Sequence, residues 1–302
     1  MEIRSVLLAA GRGTRLRPLT DTVAKPALPV LDVPLAAWSL SALCAEAAPV
    51  VVNVSHLASG VVAALEALGL DGWEAVVEQP EAYGTAGTLA SLRARAGDRL
   101  VTWNGDVITA LRPADLVRGH EATGASATVA VRFVDEHADL EVRDGRVARF
   151  VDRRRENVAG GQFLGTAVFE RSALELLPEE RPAGLGETLL RVLAARDELS
   201  VHVTDAYWMD VGVPMRYLKA SLDVLYGRAP PPPLGLPGEI VEVDGGRAYI
   251  SANARADLAT LGPGAIVLAR ATVARGARVR NSIIGPGAWV RSGARLQNTV
   301  LF

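Results

Sequence analysis

The sequence has almost no cysteine. One thiol, Cys44, occurs in 302 residues, which excludes a disulfide framework and reads as a structural thiol in a reducing cytoplasm. Long apolar runs are also missing. No stretch approaches the roughly 18 consecutive apolar residues that a membrane span requires. The opening segment MEIRSVLLAAG has too short an apolar run for a secretory leader, carries Glu2 and is followed directly by charge. There is no excess charge of either sign. The 32 basic and 34 acidic residues leave a formal net charge of −2, which excludes global attraction to nucleic acid and makes any cationic site local. Histidine is scarce, and His56, His120, His137 and His202 all precede residue 239. A soluble, cytoplasmic protein is expected.

What is present is a large apolar fraction, 49% of residues, enough for a sizeable core without disulfides. The length fits one large domain or two. Residues 3–10 form a near-continuous apolar run, the pattern of a strand buried on both faces of a parallel sheet. Residues 34–47 start with proline and carry apolar side chains at helical spacing. A strand over 50–54, a helix over 57–68, a strand over 73–78, a helix over 84–96 and a strand over 100–106 continue the alternation. This order predicts a doubly wound, mostly parallel α/β sheet. After residue 124 the segments become strand-like, with Asp144-Gly145 as a hairpin turn, and read as an antiparallel extension of one side. Helices over 186–196 and 214–226 and a strand over 200–204 complete this part.

GRAPPPPLGLPG, residues 227–238, is a proline-rich linker. It separates an expected catalytic domain (1–227) from a repeat region (239–302), with 228–238 between them. In the repeat, Leu261, Val267, Val273 and Val279 are spaced by six. After one five-residue step, Ile284, Val290, Leu296 and Phe302 follow, again by six. Ala265, Ala271, Ala277, Ala288 and Ala294 each stand two positions before one of them. One inward aliphatic and one small corner residue per six predict a parallel β-helix.

The stretch LLAAGRGTRLRPLTDTVAKPALPVL, residues 7–31, leaves the first strand and gathers glycines, fixed cations and prolines in one loop. Position 16 is Leu16, where a dinucleotide fingerprint needs its third glycine. Lys25 comes too late for a Walker-type loop. A plain glycine turn accounts for Gly11 and Gly13 but not for the cations. A phosphate site accounts for all of them. Glycines let backbone N–H groups approach phosphate oxygens. Arg15 supplies a planar charged fork and Lys25 a point charge. Pro18, Pro26 and Pro29 stiffen the loop. Two carboxylates at distant strand ends, Asp106 in LVTWNGDV and Asp210 in YWMDVG, form a pair that can hold Mg²⁺.

LAAGRGTRLRPLT…AKPALPVLDVPL resembles the signature of the sugar-1-phosphate nucleotidylyltransferases. The resemblance extends through YGTAGTL (83–89), NGDV (104–107), WMDVG (208–212) and the hexapeptide tail, nearly the whole chain. It implies a Rossmann-like nucleotidyltransferase sheet with a short C-terminal left-handed parallel β-helix. The implied reaction joins a nucleoside triphosphate to a sugar 1-phosphate, giving a nucleotide-diphospho-sugar and pyrophosphate. It implies Arg15 on the leaving phosphates, Lys25 on the α-phosphate, and Asp106 and Asp210 on Mg²⁺. The nucleotide site would include Ala10, Gly11, Gly13, Thr14, Gln79 as base reader, Gly84 and Thr85. A homo-oligomer is expected.

The departures fall on the sugar half. The family's Glu-Lys-Pro segment is replaced by FVDRRREN, so Asp152 and Arg153 stand for the glutamate and lysine, without the proline. Arg is not a neutral exchange for Lys at a tight phosphate site. The family's Asn-Ala-Gly is FLG here, which keeps Gly165 and loses the asparagine. By overall plan the chain leans towards the mannose-1-phosphate guanylyltransferase-like branch. Glucose-1-phosphate thymidylyl- or uridylyltransfer, an unusual sugar or cyclitol phosphate acceptor, and a regulatory nucleotide-sugar-binding subunit stand as alternatives. A hexapeptide acyltransferase is disfavoured, since the repeat has no histidine.

Overall fold

In the computed structural model, which describes residues 2–302, the first apolar run forms the strand Ile3–Leu8. Its one buried polar side chain, Ser5, donates to the Ala47 carbonyl at 2.9 Å. Val50–Val54 and Ala96–Asn104 flank this strand in parallel, and Trp73–Val77 adds parallel to Val50–Val54 at the edge. Beyond Ala96–Asn104 the direction changes. Gly160–Glu170 pairs antiparallel with it, followed by Ala127–Val134, Leu199–Val203, Arg146–Phe150 and Leu140–Arg143 in one nine-stranded sheet. Of these added neighbours, only Leu199–Val203 and Ala127–Val134 run parallel.

The sheet is therefore mixed, a correction to the mostly parallel expectation. A parallel pair needs a long crossover, whereas a hairpin turn forces an antiparallel one. Residues 127–170 contain no helix, and Asp144 and Gly145 turn the chain with φ of 47° and 75°. The expected helices are all shorter than read. The first starts at Ala37, because Pro29–Val30 and Val33–Pro34 pair as a small hairpin. The third, Gly84–Leu92, stops where Ala96 pairs with Ile3. A helix over Pro113–Glu121, with proline at its start and Asp115 in its first turn, was not expected.

In the C-terminal region Tyr249 pairs with Ile266, Ile266 with Ile283 and Ile283 with Val300, all in parallel and each 17 residues on. Arg255–Thr272–Trp289 and Arg278–Arg295 repeat the same 17-residue step on two further ladders. Seventeen is two steps of six and one of five, so the five-residue step recurs once per turn. Ile284 accordingly pairs with Leu301, not Phe302. The expected last rung is corrected by one residue. The Phe302 ring instead meets Tyr217 edge-on, with centroids 6.1 Å apart. Leu261, Val267, Val273, Val279, Ile284 and Val290 form an internal cluster with Ala265, Ala271 and Ala277.

Tyr249, Ile266 and Ile283 face the other way. They are buried with Leu28, Val30, Trp38 and Tyr217 in one shared cluster. The helix Pro214–Leu225 and the end of the 7–31 loop thus rest on the C-terminal ladder. Trp38 Nε1 donates to the Pro230 carbonyl at 3.1 Å, which fixes the proline-rich segment across the helix Ala37–Glu46. Among the described residues no helix is long and apolar enough to cross a membrane.

Candidate active site

The loop after Leu8 folds into three short 3₁₀ turns, Thr14–Leu16, Leu19–Asp21 and Lys25–Ala27. Leu16 and Leu19 are buried and pin it to the core. Gly13 has φ 65°, and a Cβ there would lie 3.0 Å from Thr20 Cγ2 and 3.1 Å from Lys25 Cβ. Only glycine permits both the left-handed backbone and this contact. Thr20 Oγ1 donates to the Gly13 carbonyl at 2.8 Å and closes the loop. The fold-back brings Lys25 beneath the glycines, 7% exposed. Arg15 remains exposed, with Nη2 3.2 Å from the position a Cβ on Gly212 would take.

Asp106 and Asp210 are 104 residues apart in sequence but are joined by a two-stranded ribbon. Trp208–Asp210 pairs antiparallel with Val107–Thr109, with Asp210 opposite Val107. The Val211 N–H donates to the Asp106 carbonyl at 3.0 Å. Lys25 Nζ donates to Asp106 Oδ2 and lies 3.7 Å from Asp210 Oδ1. Arg216 Nη1 donates to the other oxygen of Asp210 at 3.1 Å. The two carboxylates are 29% and 24% exposed, so both remain open to a ligand.

This cluster sits where two clefts meet. The larger, about 390 Å³, is bordered by Arg15, Asp139, Arg153, Gly165, Arg191 and Asp210 among others. The smaller, about 210 Å³, is bordered by Ala10, Gly11, Asn53, Glu78, Gly84 and Thr85 among others. Asn104 and Asp106 border both. At Gly84, φ is 74° and a Cβ would lie 2.4 Å from the Ala183 carbonyl oxygen, so a side chain is excluded. Thr85 borders the smaller cleft, but its hydroxyl already accepts from the Leu185 N–H at 2.8 Å.

Gly13, Thr14, Lys25, Gln79 and Asp152 border neither cleft, though Lys25 reaches their junction through Asp106. Gln79 is exposed and does not border the smaller cleft, whereas its neighbour Glu78 does, at 2% exposure. The direction of side chains alternates along an extended chain, so a one-residue shift exchanges which of the two turns inward. Asp152 points to solvent, where it meets Arg155 at 3.3 Å and accepts from the Arg154 N–H. Arg153 does border the larger cleft, 3.3 Å from Asp139 Oδ1. Sequence reasoning passed over Asn53, Glu78, Asp139 and Arg191. The first had a signal, a lone amide within the apolar run VVVNV. Asn53 accepts from the Ala9 N–H at 2.7 Å and so ties the glycine loop to the neighbouring strand.

The arrangement can hold two anions end to end. Fixed cations, Arg15, Lys25 and Arg216, cluster where the clefts join, beside two carboxylates able to bind a hard cation. Among the described residues no group of three or more His, Cys, Asp or Glu side chains is placed to hold a metal. Any ion at Asp106 and Asp210 therefore takes its remaining ligands from groups other than His, Cys, Asp and Glu side chains.

The nucleotidyl transferase family model matches residues 4–226. The chain is similar to a mannose-1-phosphate guanylyltransferase of Mycobacterium tuberculosis, 30% identical, with 100% of this chain and 80% of the relative covered. It is similar to a probable mannose-1-phosphate guanylyltransferase 1 of Oryza sativa subsp. japonica, 29% identical over 99% of this chain and 90% of that one. Among solved structures, a putative glucose-1-phosphate thymidylyltransferase from Bacillus anthracis superposes with a TM-score of 0.61 at 19% identity. It covers 72% of this chain and 93% of its own. HddC from Yersinia pseudotuberculosis gives 0.60 at 20%, covering 72% and 98%. These two likenesses show a shared nucleotidyltransferase-like α/β fold.

Proposed function

We propose that this chain, which belongs to the nucleotidyl transferase family, transfers a nucleotidyl group from a nucleoside triphosphate to a sugar 1-phosphate. It is mannose-1-phosphate guanylyltransferase-like, and GTP and mannose 1-phosphate are the substrates proposed. The observation that supports this most is the junction of the two clefts at Asp106, with Lys25, Asp210 and Arg15 around it. The triphosphate's base and ribose would take the smaller cleft and the sugar phosphate the larger one. Its phosphate oxygen attacks the α-phosphorus in line. One P–O bond forms, the α–β phosphoanhydride bond breaks, and pyrophosphate leaves. No general base is required, because the attacking phosphate is already ionised. Arg15 and Lys25 reduce the repulsion between the two anions and hold the α- and β-phosphates. Arg153 would grip the sugar's phosphate, with Asp139 setting its direction.

Mg²⁺ is proposed at Asp106 and Asp210. The fit lies in the donor set. Two partly exposed carboxylates converge on a single ammonium, and Mg²⁺ is usually bound by one or two carboxylates plus phosphates. Bound there, the ion would neutralise charge on the phosphates.

Residues 1–227 are proposed as the catalytic domain, 228–238 as linker, and 239–302 as a left-handed parallel β-helix that packs and oligomerises. The 17-residue parallel step supports the last of these. The test is pyrophosphate release with Mg²⁺ over ATP, GTP, CTP, UTP and dTTP against a panel of sugar 1-phosphates. Signal with GTP and mannose 1-phosphate is expected. Signal only with dTTP or UTP and glucose 1-phosphate moves the reading to that branch. A blank grid with nucleotide binding intact leaves a regulatory subunit.

A further inference from the structure

We infer that residues 183–185 form a strap that couples the two clefts, so that a nucleotide in the smaller one raises the affinity of the larger one for the sugar phosphate. Thr85 is the positioning residue that holds the strap. This rests on the two-cleft reading above and adds a coupling between its halves. Residues 175–188 connect the helices Arg171–Leu174 and Leu189–Ala195 without a helix or strand of their own. Among the described residues, every hydrogen bond from 178–187 to another element goes to residues 83–87. The Ala183 N–H donates to the Tyr83 carbonyl at 2.9 Å, and the Ala183 carbonyl accepts from the Ala86 and Gly87 N–H groups at 2.9 and 3.3 Å. The Leu185 N–H donates to Thr85 Oγ1 at 2.8 Å. The Arg181 guanidinium lies over the Tyr83 ring, 4.4 Å from its centroid.

Gly84 and Thr85 border the smaller cleft, whereas Gly186 and Glu187, which follow the strap directly, border the larger one. One short path therefore joins the two walls. Thr85 fixes Leu185, and Leu185 is bonded to Gly186. The Ala183 carbonyl fills first-turn N–H groups of the helix Gly84–Leu92, so at this point the helix start is capped by the strap itself. A segment without secondary structure of its own is held only by such outside bonds. A ligand that orders the Tyr83–Thr85 segment orders the strap with it, and a second ligand on Gly186 and Glu187 then no longer bears that cost. The phosphates of the two ligands repel each other. The strap thus supplies a favourable coupling that direct contact between the two anions does not.

The experiment titrates mannose 1-phosphate by calorimetry, with Mg²⁺, into the protein alone and into the protein saturated with α,β-methylene-GTP, whose bridge the reaction cannot break. The ratio of the two dissociation constants is the coupling factor. Wild type is expected to bind mannose 1-phosphate about 5- to 150-fold more tightly with the nucleotide in place, the usual range for coupled sites. Thr85→Val removes the acceptor of the Leu185 N–H and should lower the factor by about threefold or more. Thr85→Ser keeps the hydroxyl and should restore it. A residue with a merely structural role shifts both constants together and leaves the factor intact, and that result in Thr85→Val overturns the inference. So does a wild-type factor near one with both ligands bound, which leaves the transfer reading standing. A wild type that binds neither ligand overturns that reading and this inference together. If Thr85→Val does not fold, Arg181→Ala takes its place. Its factor should fall as well, and an unchanged one overturns the proposal.

Discussion

Lys25 Nζ stands between Asp106 and Asp210, donating to the first and 3.7 Å from the second. An ammonium that bridges two carboxylates occupies the same electrostatic position that a dication on them would. The ribbon that carries the carboxylates is held by backbone pairing, so its fold does not depend on their charge alone. Asp106→Asn and Asp210→Asn should each lower kcat by about 10²–10³-fold, the loss typical of removing one preorganised electrostatic contact. Circular dichroism should be unchanged. Either variant retaining half the wild-type rate in a pyrophosphate-release assay would remove that aspartate from the metal role.

On the side proposed for the sugar phosphate, Arg153 borders the larger cleft and is oriented by Asp139, which also accepts from the Phe163 N–H at 3.1 Å. Arg153→Ala should raise the KM for the sugar phosphate by about 10- to 100-fold, from loss of a charge-assisted contact. The KM for the triphosphate should stay within a few fold. An equal rise in both constants would place Arg153 outside the sugar subsite.

The parts of this molecule that can be read from its sequence are those built from local pattern. The Ile3–Leu8 strand, the glycine loop and the six-residue rungs each announce themselves within a short window. The sheet's change of direction at Gly160–Glu170 has no such local mark, because strand order depends on which edge a long connection returns to. Asp106 and Asp210 were legible as strand-end carboxylates, but their adjacency rests on the Val107–Asp210 register. Gln79 and Glu78 show the finest limit. One residue of phase decides which side chain borders the cleft, and an irregular loop carries no period from which to read it.

Asp223 is 2% exposed and anchors the helix Pro214–Leu225. Burial raises its pKa, but hydrogen bonds from Lys219, Arg228 and Tyr207 outweigh that and hold it below the ordinary aspartate value. A depressed folded-state pKa contributes stability that is full above the unfolded value and is lost as pH falls through the folded one. Wild type should therefore lose stability steeply below about pH 4, the unfolded aspartate range. Asp223→Asn should be less stable at pH 7 and show a shallower acid limb in urea denaturation followed across pH. An unchanged acid limb would assign acid sensitivity to other carboxylates.

Burial and the nearby Asp71 push the Cys44 thiol up to about 11. Thiolate is the reactive form, so at pH 8 alkylation should run roughly 100-fold slower than for an ordinary thiol and rise with pH towards 11. Mass spectrometry of iodoacetamide-treated protein checks this. Rapid labelling at pH 8 would mean that the helix Ala37–Glu46 opens far more readily than its packing suggests.

The C-terminal ladder reaches the hairpin that follows Lys25 through two hydrogen bonds. Tyr249 donates to Asp32 Oδ2 at 2.8 Å, and Asp32 Oδ1 accepts from the Ala269 N–H at 2.8 Å. Asp32 lies in the small hairpin that follows Lys25 and has φ 64°, so its partners on the ladder hold a backbone turn that non-glycine residues resist. Tyr249 is fully buried, and burial together with Asp32 raises its pKa, which keeps the hydroxyl a donor. Tyr249→Phe leaves Asp32 one partner short and should cost about 1.5–3 kcal/mol, the range for a hydrogen bond to a charged group. Urea denaturation should register this as a lower midpoint with an unchanged slope. Removing residues 239–302 goes further, because Leu28, Val30, Trp38 and Tyr217 lose Tyr249, Ile266 and Ile283 from their shared cluster. Each large apolar side chain left uncovered forfeits about 1.5–3 kcal/mol. A 1–238 fragment should therefore melt well below wild type and lose turnover with it. If its melting temperature and kcat matched the full chain, the ladder would be an appendage, and the Lys25 loop would owe it nothing.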